Sequence, residues 1–219
     1  MPKKTDVQII DASLRFLPVE TRMPLKFGSE TLTSVTCSRA SVKVAKEDGT
    51  EAEGWGETPL SVQWVWPSSV PYSERHEALK EFSILLCPAW RSLTDSGHAL
   101  ELGHDFLFDQ LPDILTSYNS LKRKEREPLP WLAALVCASA FDLALHDAYG
   151  KANGAMTYGT YGAGHLNRDL AAFLEPISSE VQFRGKTPSD YLLPKFQREL
   201  PVWHLVGGLD PLTQDELTG

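Results

Sequence analysis

The run Leu200-Pro201-Val202-Trp203-His204-Leu205-Val206, closed by Gly207-Gly208, constrains the chain more than any other stretch. Seven mostly apolar residues bounded by glycines predict a strand of a parallel sheet, buried on both faces. Such a strand needs a neighbour on each side. The 69 residues between Gly150 and the end at Gly219 offer one clear strand of this kind. A closed (β/α)8 barrel takes about 250 residues. The expectation is therefore a complete small α+β domain over residues 1–130, joined at residues 131–219 to the start of an α/β barrel domain that does not close. Beyond Asp210, Thr213 and Glu216 have the spacing of a capping box, which opens a helix.

The first half supplies an antiparallel meander. Residues 6 to 17 alternate, with Ile10, Ala12, Leu14 and Phe16 facing one way and Val7, Ile9 and Asp11 the other. Thr21 to Ser34 has Gly, Ser, Thr and Pro24 and reads as a long loop. A second strand is expected over Val35 to Lys46, a tight turn at Asp48-Gly49, and a returning strand over Glu51 to Glu57. Helices follow. One is capped by Ser73 and ended by Pro88; one carries Leu107, Leu111, Ile114 and Leu115 with Pro112 as a break. A third, from Trp131 to Tyr149, is apolar on more than one face and so belongs in a core.

Charge and cysteine content exclude several partners. The net charge is −8, and the densest basic cluster, Lys122 to Arg126, is short and diluted by Glu125. Nucleic acid and anionic membranes are thus not expected as partners. No window reaches the roughly 18 to 20 consecutive apolar residues of a bilayer span. No apolar segment follows Lys3-Lys4 as in a secretory signal. Cys37, Cys87 and Cys137 have no motif spacing and read as buried free thiols, so a cytoplasmic location is expected.

Four segments, in this order, resemble the mandelate racemase/muconate lactonizing enzyme branch of the enolase superfamily. They are Arg22 to Gly28, Asp48-Gly49, Gly54-Trp55-Gly56-Glu57 with Thr58-Pro59-Leu60, and the helix from Ala140 to Lys151. The resemblance implies a capping domain whose mobile loops close over a barrel. It also implies Mg²⁺ held by three acidic residues on barrel strands, and abstraction of a proton α to a carboxylate. The products would be those of a racemase, cycloisomerase or sugar-acid dehydratase, made from a small carboxylate substrate by a homo-oligomer. By the family's pattern the metal ligands and acid/base groups stand on the second barrel strand and later. No catalytic residue and no metal ligand is therefore assigned in this chain, which is expected to be inactive alone and to bind no Mg²⁺.

Substrate contacts are expected from the loops at Pro18 to Ser34 and Glu57 to Ser69, with Arg22, Lys26, Phe27, Glu57 and Trp64 as candidates. Lys26 could meet a carboxylate as a point charge, or be an exposed loop lysine. Trp64 and Trp66 could wall a pocket, although packing between sheet and helices is the commoner use of Trp. His204 falls near the C-terminal end of the first barrel strand, the face where barrel sites form. Asp142 and His146, four apart on one helix, are expected to serve buried hydrogen bonding or helix packing rather than chemistry. His98, Glu101 and His104 lack a further spaced ligand and read as a solvated helix face. A different class of function also fits: a non-catalytic binding or structural protein that covers its apolar strand with a partner or another copy of itself.

Overall fold

The computed structural model describes residues 2–27, 30–193, 195, 197–203, 206 and 211–217. Three long strands form the expected meander: β1 (Val7–Phe27), β2 (Glu30–Lys46) and β3 (Glu51–Pro59). A fourth, β4 (Ser96–Gly97), pairs with Val7 and Gln8 and extends the sheet to the order β3-β2-β1-β4. Gly49, at φ +84°, makes the tight turn between β2 and β3. Asp48 caps that turn by accepting from the Thr50 N–H, which with Lys46 holds its carboxyl down at about 2.

β1 departs from simple alternation. Ile9 pairs with Val44 and Asp11 with Lys43, so Ile10 is an extra residue bulged out of the ladder. The bulge flips the pleat. Val7 and Ile9 thereby share the buried face with Ala12, while Ile10 is exposed, against the expected grouping. The expected loop at Thr21 to Ser34 is also largely strand. β1 and β2 stay paired to Val19–Val35 and Glu20–Ser34, then resume at Leu25–Leu32, Lys26–Thr31 and Phe27–Glu30. Thr21 to Pro24 form the bulge between the two stretches. Thr31, Thr33 and Val35 are β-branched and suit a pleated arm, which outweighs the Gly, Ser and Pro signals nearby.

The helices lie on one face of the sheet. α1 (Val62–Val65) leads to α2 (Tyr72–Arg91), which begins one residue ahead of Ser73 and runs past Pro88 for a final turn. Proline at that point removes a single helical bond, to the carbonyl of Ile84, and the last turn survives it. α3 (Ala99–Asp105) continues through a π-turn, Phe106–Gln110, into α4 (Leu111–Lys122). Pro112 has no N–H for the usual partner, and the Leu111 N–H reaches back five residues to Phe106, so the helix shifts register instead of breaking.

α5 (Trp131–Ala152) crosses β2 and β3 and shares one core with α2, built on Trp66, Leu79, Phe82, Trp90, Phe106, Phe141 and Leu145. By length and composition α5 could cross a bilayer, at mean hydropathy 1.3, but half of that window is buried inside the protein. It is a core helix.

Gly54 and Gly56 explain how α5 sits. A Cβ on Gly54 would stand 2.1 Å from the Ala144 carbonyl, and one on Gly56 equally close to the Ala140 carbonyl. Ala140, Ala144 and Ala148 form the stripe that rests on these glycines. The sheet-and-helix architecture agrees with the capping domain that the resemblance implies.

After α5 the described residues form short 3₁₀ turns at Thr157–Thr160, Leu170–Ala172, Pro188–Tyr191 and Gln214–Glu216, the last with the Thr213–Glu216 capping box. The strand expected at 200–206 does not form among the described residues. Leu200 to Trp203 are irregular and exposed, Trp203 to 95%. A parallel strand is held by neighbours on both edges, and no described strand lies beside this one.

Candidate functional site

A groove of about 370 Å³ opens between the β1–β2 arm and the start of the helical layer. Thr31, Leu32, Thr33 and Ser34 of β2 line one wall, Gln63 of α1 and Tyr72 of α2 the other. The groove joins the two segments expected as specificity loops. Beneath it Tyr72 stacks on His76 at 5.7 Å between ring centroids, and His76 Nε2 lies 3.0 Å from Thr36 Oγ1. Burial holds the His76 imidazole below its ordinary value, favouring the neutral form. Hydroxyl, amide and phenol groups here can hydrogen-bond a small polar molecule.

The candidate residues scatter around this groove. Lys26 is exposed and pairs through its backbone with Thr31, one of the lining residues. Arg22 is exposed in the bulged stretch between the paired parts of the arm. Phe27 pairs with Glu30 in the backbone ladder. Trp64, 53% exposed, stands beside Gln63 in α1, whereas Trp66 is buried and donates from Nε1 to Glu127.

Glu57 belongs elsewhere. It faces Arg39 across the β2–β3 ladder, with Nη2 to Oε2 at 2.6 Å, and lines a separate shallow depression with Trp55. The structure does not bring Glu57 and the arm residues together. His204 lies outside the described residues. Gln63 lies inside the expected loop Glu57 to Ser69 without having been singled out, and Tyr72 opens α2 two residues ahead of the start that a Ser73 cap implies.

The histidine cluster corrects the solvated-face expectation. His98 is fully buried and caps α3: its Nδ1 accepts from the Leu100 N–H. The proton therefore stands on Nε2, which donates to Thr160 Oγ1 at 3.3 Å. Glu101 is buried too. Its carboxylate accepts from the N–H groups of His98, Asn167 and Arg168 and from Asn167 Nδ2. Helical spacing at 98, 101 and 104 signalled one face, but not that the chain after α5 folds back over it.

Asp142 and His146 stand on α5, where His146 Nδ1 lies 3.1 Å from the Tyr161 hydroxyl. Their nearest polar atoms are 4.0 Å apart, and a Cβ on Gly103 would stand 2.2 Å from Asp142 Oδ1. Burial raises the Asp142 carboxyl and lowers the His146 imidazole. Among the described residues no three His, Cys, Asp or Glu side chains stand together as metal ligands.

No protein-family model and no curated protein sequence matches the chain. Solved structures that match it are of enolase-superfamily members. A dipeptide epimerase from Enterococcus faecalis, complexed with Mg and L-Leu-L-Tyr, is 14% identical; the match covers 71% of this chain and 34% of that one, at TM-score 0.40. L-Talarate dehydratase from Polaromonas, with Mg and L-glucarate, is 12% identical over 71% and 35%, at TM-score 0.41. The L-Ala-D/L-Glu epimerase from Bacillus subtilis is 20% identical over 71% and 34%, at TM-score 0.36. The chain spans about a third of the length of these structures.

Proposed function

We propose that this chain is the N-terminal portion of a Mg²⁺-dependent enolase-superfamily enzyme of the mandelate racemase/muconate lactonizing enzyme branch. The whole enzyme abstracts a proton α to the carboxylate of a small molecule, as a racemase, cycloisomerase or sugar-acid dehydratase. This portion supplies the cap and its substrate-facing segments. Mg²⁺ would stabilise the enediolate from barrel strands outside this chain. A cytoplasmic homo-oligomer is part of the same reading.

The observation that carries it is a fit between two motifs. Gly54-Trp55-Gly56-Glu57 and the helix from Ala140 to Lys151, quoted separately for the resemblance, form one packing unit, glycine against alanine. The groove between residues 31–34 and Gln63 supports placing substrate contacts on the arm and α1. α5 shares one buried core with the sheet and α2.

The test is exchange of the α-proton. A longer product of the same gene, given Mg²⁺ and D₂O, is expected to place deuterium α to the carboxylate of one small acid, followed by NMR. A reading frame beyond Gly219 without spaced Asp and Glu strands overturns the reading. Isothermal titration of the present chain with MgCl₂ is expected to give no tight stoichiometric binding, and tight binding would contradict it.

Exposure of Leu200, Val202 and Trp203 favours a second reading, a non-catalytic chain that covers these residues with a partner or another copy. Sedimentation separates the two, since a concentration-independent monomer counts against it.

A further inference from the structure

We propose that Asp147 and Lys151 form a plug on the free edge of β3, standing in for one residue of an added strand and holding that edge closed to strand pairing. Among the described residues β3 is an edge of the sheet, with β2 on one side only. The edge would present unpaired N–H and C=O groups, a template for another extended chain.

At its centre those groups are taken. Asp147 Oδ2 accepts from the Trp55 N–H at 2.9 Å, and Lys151 Nζ donates to the Glu53 carbonyl at 3.2 Å. The two side chains are joined by their own ion pair at 2.7 Å. In a parallel ladder, one residue of an incoming strand donates to the carbonyl of residue i−1 and accepts from the N–H of residue i+1. With Gly54 as residue i, Lys151 makes the first bond and Asp147 the second.

The glycines make this possible. Because Gly54 and Gly56 carry no Cβ, the α5 backbone rests directly on β3, and side chains one turn apart on α5 reach the strand's outer backbone. Asp147 and Lys151 are both part-exposed, at 39% and 50%, so the plug is removable without opening the core. The proposal rests on these contacts and not on the proposed function. It would stand if no barrel follows.

The experiment compares the full chain with Asp147→Ala, Lys151→Ala and Asp147→Asn, reading amide hydrogen exchange by NMR and average mass by sedimentation equilibrium. Asp147→Ala is expected to speed exchange of the Trp55 N–H at least tenfold, leave the β2-facing Gly54 and Gly56 amides within a factor of two, and raise average mass with concentration. Asp147→Asn keeps an acceptor oxygen and is expected to stay near the parent chain in both. Lys151→Ala, at a half-exposed position, gives a second reading should Asp147→Ala fail to fold, with association again rising above the parent. The idea is overturned if the Trp55 amide exchanges freely in the parent chain, or if association in the folded alanine variants matches the parent's.

Discussion

The carbonyl oxygen of Ala140 stands 2.1 Å from the position that a Cβ on Gly56 would occupy. Backbone meets backbone there, so no flexible side chain can swing aside. Gly56→Ala is expected to force α5 off β3 and destabilise the chain by about 1–3 kcal/mol or more, the usual range for overpacking. Urea denaturation monitored by circular dichroism checks this. Gly49→Ala, where a Cβ meets nothing within 4 Å, should cost less and through backbone strain at positive φ alone.

Much of this fold was legible because its signals are local. The Asp48-Gly49 turn, β3, and the start of α5 after Pro130 follow from short-range rules, and they stand where expected. The misses share a physical cause. Ile10 looks like one more residue of an alternating strand, and only pairing with β2 reveals the bulge. Thr21 to Ser34 carries both breaker and β-branched residues, and the ladder decides between them. His98 and Glu101 have partners in Thr160, Asn167 and Arg168, some 60 residues on, which no helical periodicity can foresee. The groove fares likewise: Trp64 and the arm were visible, but the facing of Gln63 and Tyr72 against residues 31–34 arises only when the arm and α1 pack together.

Glu101 ties the segment after α5 to the sheet-and-helix unit. Replacing it by alanine leaves the N–H groups of His98, Asn167 and Arg168 without their acceptor, and Arg168 keeps its bidentate pair with Asp105 and its place over the Phe173 ring. Glu101→Ala is expected to cost on the order of 3 kcal/mol, the scale of stranding buried donors. The released stretch should be nicked by limited proteolysis between residues 160 and 190 while the portion from β1 to α5 stays intact. Protection equal to the parent chain would contradict the anchor.

The thiols should divide by burial. Cys137 is fully buried, and desolvation pushes it up to about 12; Cys87 is only partly buried and is raised as well. Since the thiolate is the reactive form, a disulfide reagent at pH 8 is expected to leave Cys137 unmodified in the folded chain and to label all three cysteines in urea. Mass spectrometry of the native reaction gives the answer site by site.

His98 makes stability depend on acid. Burial, helped by the nearby His146 and His165, pulls it down to about 3, while an unfolded histidine titrates near 6.5. Between those values the unfolded chain binds the proton and the folded chain does not, so unfolding becomes easier as pH falls. Its contribution is therefore intact above pH 6.5 and is lost progressively towards pH 3. Protonation of Nδ1 would also remove the acceptor for the Leu100 N–H and place a cation among Tyr149, Tyr161, His146 and His165, with Lys3 nearby. His98→Asn keeps a capping acceptor and has nothing to titrate. Its unfolding free energy should thus fall less steeply than the parent's between pH 6.5 and 4. Denaturant midpoints at several pH values measure both slopes, and parallel curves would show that His98 does not carry the effect.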